Sequence, residues 1–265
     1  MLAYGGVSAV NALGSWYGSS IAVDLKVEVK VSEGRCETSD PLIREILRYF
    51  REKHNVPDLR VEIRSEVPPK GGLKSSSAVS TALIGEIGER YGIEVDPPKL
   101  SAILSIKAGI SLTGALDDAA ASYYGGVSLT YNKEFRILKM IDPPDLLAVI
   151  LLRGNRPKQP DLEHFRKFSK EFEEAFRLAY SGKLLDAIRL NGRLVARVMG
   201  YEESLLEEAE RRGALAAGVS GNGPSIFALV KEGDEGPVFE LFSKHGEVRT
   251  VRLVKYGSLG RTLRN

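Results

Sequence analysis

The chain has 265 residues, enough for one large domain or two modest ones, with an apolar fraction of 43% to fill their cores. Its 37 Lys and Arg stand against 35 Asp and Glu, leaving a net charge of +2, and no basic block is interleaved with aromatics, so nucleic acid is not an expected partner. A lone cysteine, Cys36, excludes an intrachain disulfide and a cysteine metal cluster and suits a reducing, cytoplasmic setting.

Residues 1–23 carry no charge. They lack both the basic start of a secretory signal and the roughly 20 continuous apolar residues of a membrane span. Gly5, Gly6, Ser8, Asn11, Gly14, Ser15, Gly18, Ser19 and Ser20 suit a loop pressed against a ligand or a neighbouring strand. Residues 21–31 alternate apolar and charged side chains and predict a half-buried strand, 41–53 an amphipathic helix, and 59–67 a second strand that Pro68 and Pro69 must end. Helical spacing follows over 76–91 and 97–109, then strand patterns over 123–131, 135–140 and 146–152, the last almost continuously apolar. The Asp142-Pro143-Pro144 turn marks the expected domain boundary, dividing the chain into 1–144 and 145–265. Beyond it come helices over 161–181, 183–199 and 202–212, strands over 214–219 and 225–230, a helix over 235–245 and a strand over 247–254. That order predicts a two-layer α+β arrangement rather than a strictly alternating parallel sheet.

Between the strand at 59–67 and the helix at 76–91 lies Pro68-Pro69-Lys70-Gly71-Gly72-Leu73-Lys74-Ser75-Ser76-Ser77-Ala78. A loop that enters a helix there presents main-chain N–H groups at the positive end of the helix dipole, glycines permit close approach, Lys74 adds a cation, and three serines offer hydroxyls to phosphate or Mg²⁺. A plain Gly/Ser loop with a serine cap is the other reading of this segment. It is not a Walker A loop, because Leu73 stands where that motif needs glycine before its lysine.

The segment resembles the PxxxGLxSSxA signature of the GHMP kinases, with Pro68, Gly72, Leu73, Ser75 and Ser76 on the pattern. Two more segments follow in that family's order. Residues 113–126, with Asp117-Asp118 and Gly125-Gly126, resemble its aspartate element, and 218–225, with Gly221-Asn222-Gly223, its third glycine-rich motif. Within the superfamily, the segments 6–12 and 18–25, the triple serine and 113–119 are similar to the archaeal-type shikimate kinases, a likeness that runs over essentially the whole chain. Residues 14–19 depart from it, reading Gly-Ser-Trp-Tyr-Gly-Ser where a Gly-Lys-Gly-Ser run is expected.

The resemblance implies an α+β GHMP kinase fold of two two-layer α/β domains, the C-terminal one ferredoxin-like. It implies a cytoplasmic enzyme, monomeric or homodimeric, that transfers phosphate from ATP with Mg²⁺ to the 3-hydroxyl of shikimate, for aromatic amino acid biosynthesis; another small alcohol such as homoserine is the alternative acceptor. The cofactor would lie on Pro69, Lys70, Gly71, Gly72, Leu73, Lys74, Ser75, Ser76, Ser77, Ala78, Gly221, Asn222 and Gly223. Asp118 would be the base, with Asp117 and Lys74 beside it, and Ser76 and Asp117 would hold the metal. The family's usual metal-binding glutamate is replaced, its place falling on Lys107. Ser8, Asn11 and Asp118 would contact the acceptor, and Arg153 or Arg156 would meet its carboxylate, unless those arginines are ordinary surface residues.

Overall fold

The computed structural model describes residues 1–69, 71–154 and 159–263. Lys70 and Arg156, two of the expected ligand-binding residues, lie outside them.

Two antiparallel sheets organise the chain. The first is built from β1 (Leu2–Val10), β2 (Tyr17–Glu33), β3 (Leu59–Ser65), β4 (Val127–Tyr131) and β5 (Arg136–Ile141), in the order β1-β2-β4-β5 with β3 also paired to β2. β2 shows what decides patterning. Residues 18–23 are buried without a break, whereas 24–31 alternate exposed or half-buried Asp24, Lys26, Glu28 and Lys30 with buried Leu25, Val27, Val29 and Val31. Its first half is covered on both faces and its second on one. The covering helices are α3 (Ser75–Tyr91) and α5 (Leu116–Tyr124) on one face and α7 (Ser169–Tyr180) and α8 (Leu184–Met199) against the other.

β1 corrects the expectation of a loop over the first residues. Gly5 and Gly6 sit inside the strand because a Cβ on Gly5 would fall 2.9 Å from the Val67 side chain, and one on Gly6 2.8 Å from the Ile21 carbonyl. The glycines serve close packing of a buried strand, a use that leaves no alternating signature. Between β1 and β2 the four-residue helix α1 (Ala12–Ser15) is capped by Asn11, whose side chain accepts from Leu13 N.

The second sheet begins at β6 (Leu147–Leu152) and runs β7 (Ala216–Val219), β8 (Ile226–Val230), β6, β9 (Glu247–Arg252) in space. Its helices include α6 (Leu162–Arg166), α7, α8, α9 (Ser204–Arg211) and α10 (Gly236–Ser243). One helix was expected over 161–181; two form, with the break at Lys167 and Phe168. The expected strand over 123–131 is shorter, because α5 runs on to Tyr124 and Gly125-Gly126, both at positive φ, make the turn into β4. Phe176, Ile188 and Phe227 share one apolar cluster with Val7, Ile21 and Ile84, so the two sheets are joined through a common core. Helices α2 (Pro41–His54) and α4 (Pro97–Lys107) complete the first half, each opened by an aspartate cap, Asp40 and Asp96.

Candidate active site

The loop before α3 is held by its main chain. Gly6 N donates to Leu73 O at 3.1 Å, and Ser220 Oγ donates to Gly72 O at 2.8 Å, so the loop is tied both to β1 and to the turn between β7 and β8. Gly72 has φ +79°, and a Cβ there would lie 2.5 Å from the Ser220 carbonyl. The helix that follows has no side-chain cap; Lys74, itself left-handed at φ +67°, occupies the cap position. The first amides of α3 are therefore free to meet an anion, and Gly72 through Ser77 line a cleft of about 540 Å³. Of the other loop residues, Pro69 is exposed and Gly71 and Ala78 are buried, and none of the three lines the cleft.

The opposite wall comes from the second sheet. Gly221, at φ +61°, donates its N–H to Ser8 Oγ at 3.0 Å. Asn11 Nδ2 donates to Gly221 O at 3.0 Å and to Asn222 Oδ1 at 2.7 Å, while Gly223 lies against Tyr201 and off the cleft. Ser8 and Asn11 thus line the cleft and also lock the turn at 220–223 onto β1.

The floor is the first turn of α5, entered through Ala115 at φ +51°. Asp118 pairs with Lys74 Nζ at 2.8 Å, the two side chains being 16% and 6% exposed, and accepts a short hydrogen bond from Ser20 Oγ. Asp117 is 4% exposed; Asn132 Nδ2 donates to its Oδ1 at 2.8 Å, and Ser20 Oγ stands 3.3 Å from its Oδ2. Burial, and then the neighbouring charge of Asp118, push Asp117 up to about 7, against the opposing pull of Lys74 and Asn132. Gly18 makes room for that carboxyl, since a Cβ there would sit 2.6 Å from Asp117 Cγ. A cleft with free helix amides and serine hydroxyls on one side, and a lysine-bound carboxylate on its floor, has the parts for transferring phosphate to an alcohol.

The comparisons with known proteins agree with that geometry. Residues 41–126 match the GHMP kinases N terminal domain and 172–247 the GHMP kinases C terminal domain. A shikimate kinase of Pyrococcus furiosus is 35% identical over 262 residues, covering 91% of this chain and 94% of its own length. The chain belongs to the GHMP kinase family. A shikimate kinase of Methanothermobacter thermautotrophicus is 31% identical, with 96% and 95% of the two chains covered. In three dimensions this GHMP kinase is similar to the mevalonate kinase of Methanococcus jannaschii, TM-score 0.73 at 15% identity over 96% of this chain and 97% of that one. It is also similar to the homoserine kinase of Cytophaga hutchinsonii, TM-score 0.66 at 20% identity over 97% and 96%. At those identities the structures speak for the fold.

Two residues singled out in the sequence stand apart from this GHMP kinase cleft. Arg153, just beyond β6, is not among the residues that line it; the apolar run of β6 delivers its end elsewhere. Lys107, in the place of the usual metal-binding glutamate, turns away and pairs with Glu45 of α2 at 2.8 Å. Asp117 lines the cleft, with its Oδ1 bonded by Asn132 and its Oδ2 3.3 Å from Ser20 Oγ. Among the described residues no cluster of three His, Cys, Asp or Glu could hold a metal. The serines at 75–77 do fit a Mg²⁺ that arrives with the nucleotide, as neutral oxygen donors beside the free amides of α3. No helix among the described residues is long and apolar enough to cross a membrane.

Four residues of the site carried no assigned chemistry in the sequence: Ser20, Asn132, Ser128 and Gly18. Ser128 Oγ donates to the Asp117 carbonyl at 2.7 Å and accepts from Ser20 N at 3.1 Å, so β2, β4 and α5 meet at that hydroxyl. Gly18 and Ser20 lie in the segment that resembles the archaeal enzymes; for Asn132 and Ser128 no such signal existed.

Proposed function

We propose that this GHMP kinase transfers the γ-phosphate of ATP to the 3-hydroxyl of shikimate. The observation that carries the reading is the meeting of Asp118, held by Lys74, with the open amides and serines of α3 in one cleft. The choice of acceptor rests on the full-length likeness to archaeal enzymes named shikimate kinase.

In this reading the main chain from Gly72 to Ser77 receives the ATP phosphates, and Gly221 and Asn222 close on them from the second sheet. Mg²⁺, when bound with the nucleotide, neutralises phosphate charge, and Ser76 is the protein group that would hold it. Asp118 accepts the proton of the acceptor hydroxyl as its oxygen bonds to the γ-phosphorus and the bond to the β–γ bridging oxygen breaks, releasing ADP. Lys74 stays charged and keeps Asp118 turned toward the acceptor. Asp117, buried and largely neutral below about pH 7, shapes the floor beside Asp118. Ser8 and Asn11 supply neutral hydrogen-bonding groups beside a polyol. Among the described residues Lys74 is the cation lining the cleft, so the acceptor carboxylate is met mainly by neutral donors and Gln159.

Coupled ADP release over a panel of shikimate, homoserine and mevalonate tests this. Stimulation by shikimate with kcat/KM at least tenfold above the other two is expected. Turnover of homoserine in preference to shikimate would reject the acceptor, and a large fall in kcat after Asp118→Asn is required of the base.

A further inference from the structure

In the register of the central hairpin, Ser8 of β1 lies directly opposite Ser20 of β2. Side chains directly opposite in an antiparallel pair share a face, so the two hydroxyls emerge side by side beneath the cleft. Each takes hold of one member of the same ion pair. Lys74 Nζ donates to Ser8 Oγ at 2.5 Å, Ser20 Oγ donates to Asp118 Oδ1, and Lys74 Nζ reaches that same Oδ1 at 2.8 Å. Both serines are buried, Ser8 at 2% and Ser20 at 0% exposure. Their main chains are fixed as well. Ser20 N donates to Ser128 Oγ, which fixes the backbone of Ser20, and Gly221 N donates to the Ser8 hydroxyl, which orients it; the Ser20 hydroxyl also stands 3.3 Å from Asp117 Oδ2.

Two donors therefore converge on Oδ1 of Asp118. A carboxylate is planar, and two bonds to one oxygen fix both its rotation and which oxygen remains for a ligand. We propose that Ser8 and Ser20 are a pair of positioning residues that hold the Lys74–Asp118 ion pair with Oδ1 engaged, leaving Oδ2 as the atom that accepts the proton of the acceptor hydroxyl. Without Ser20 the carboxylate is free to turn about its own axis while Lys74 still attracts it, so charge at the site is kept and direction is lost. For Ser20, which does not line the cleft, the effect falls on the transferring step rather than on the binding of either substrate.

This rests on the reading of Asp118 as base for an alcohol acceptor, and the experiment separates the two. The wild-type enzyme is assayed first with shikimate; absent turnover there is a failure of the acceptor assignment alone. Ser20→Ala and Ser8→Ala are then measured singly and together, with Ser20→Thr as the conservative variant. Expected are a fall in kcat of about tenfold or more for Ser20→Ala, KM values for ATP and acceptor within about twofold of wild type, and recovery of most of the loss in Ser20→Thr. Because both serines act through one ion pair, the double variant should lose much less kcat than the product of the single losses in kcat. A loss spread over kcat and KM that Ser20→Thr does not restore, or a fully multiplicative double variant, overturns the proposal. An arm independent of any acceptor is a crystal structure of Ser20→Ala without substrate. A rotated or doubled Asp118 carboxylate supports the pair, and an unchanged single orientation overturns it.

Discussion

The two ends of the cleft are made of different material. At the phosphate loop the contacts belong to the main chain: Leu73 O, Gly72 O and the uncapped amides of α3. At the carboxylate floor they belong to side chains, with Asp118, Asp117, Lys74, Ser20 and Asn132 bonded to one another out of water. A main-chain site is sensitive to an added Cβ and tolerant of the side chains that already point away. A buried side-chain site depends on the atoms themselves, because removing one leaves its partners unpaired in a low dielectric.

The largest effect expected of that difference is at the floor. Asp118→Asn keeps the shape and removes the proton acceptor, and kcat should fall by about 10²–10⁴ with little change in KM for ATP. Steady-state kinetics decide it, and a loss under tenfold would move the base elsewhere. Asp117→Asn should do the reverse, preserving turnover while changing stability. The folded protein keeps on Asp117 a proton that the unfolded chain releases near pH 4, so stability contributed by this group falls as pH rises from about 4 through about 7 and is level above. The asparagine imitates the neutral acid, and its variant should escape that fall, by up to ~4 kcal/mol at pH 8. Urea unfolding of both proteins at pH 5 and pH 8 reads it directly; identical pH dependences would mean Asp117 is ionised in the fold. At the other end, Gly72→Ala forces a Cβ to 2.5 Å from the Ser220 carbonyl at a φ of +79°. A cost of about 1–3 kcal/mol is expected, seen as a lower thermal midpoint and a raised KM for ATP with kcat less affected. An unaltered ATP KM would show that the 218–225 turn does not set the loop.

The same contrast explains which parts of the molecule are legible in its sequence. A phosphate site made of main chain needs Gly, Ser and Lys in consecutive order, so the segment at 68–78 announces itself. A floor made of side chains draws on residues far apart: Ser20 and Asp118 are 98 positions apart, Asn132 and Asp117 come from different elements, and no local pattern links them. The amphipathic helices and the alternating half of β2 were legible because one face meets water. β1 was not, because burial on both faces and glycines demanded by close packing erase the alternation. Asp117-Asp118 stood out as a pair, but adjacent positions on a helix point about 100° apart, and only the fold shows that one is sealed under Asn132 and the other opens beside Lys74.

The smallest effect expected is at Arg153, and it tests where the acceptor end of the site stops. A carboxylate acceptor suggests an arginine, and the chain offers one just after the central strand β6. In the fold Arg153 lies outside the cleft, while the residues bordering it from that side are Gln159 and Pro160. Arg153→Ala should therefore change kcat and acceptor KM by less than about twofold, since an exposed or half-exposed charge away from a ligand contributes little. Gln159→Ala should raise the acceptor KM several-fold by removing a neutral donor on the cleft wall. The reverse order, a large KM effect at Arg153 and none at Gln159, would require that the cleft rearrange on binding so that β6 swings its end toward the acceptor. Measuring both KM values at two salt concentrations separates the cases: a long-range arginine effect weakens as salt rises, and a neutral contact at Gln159 does not.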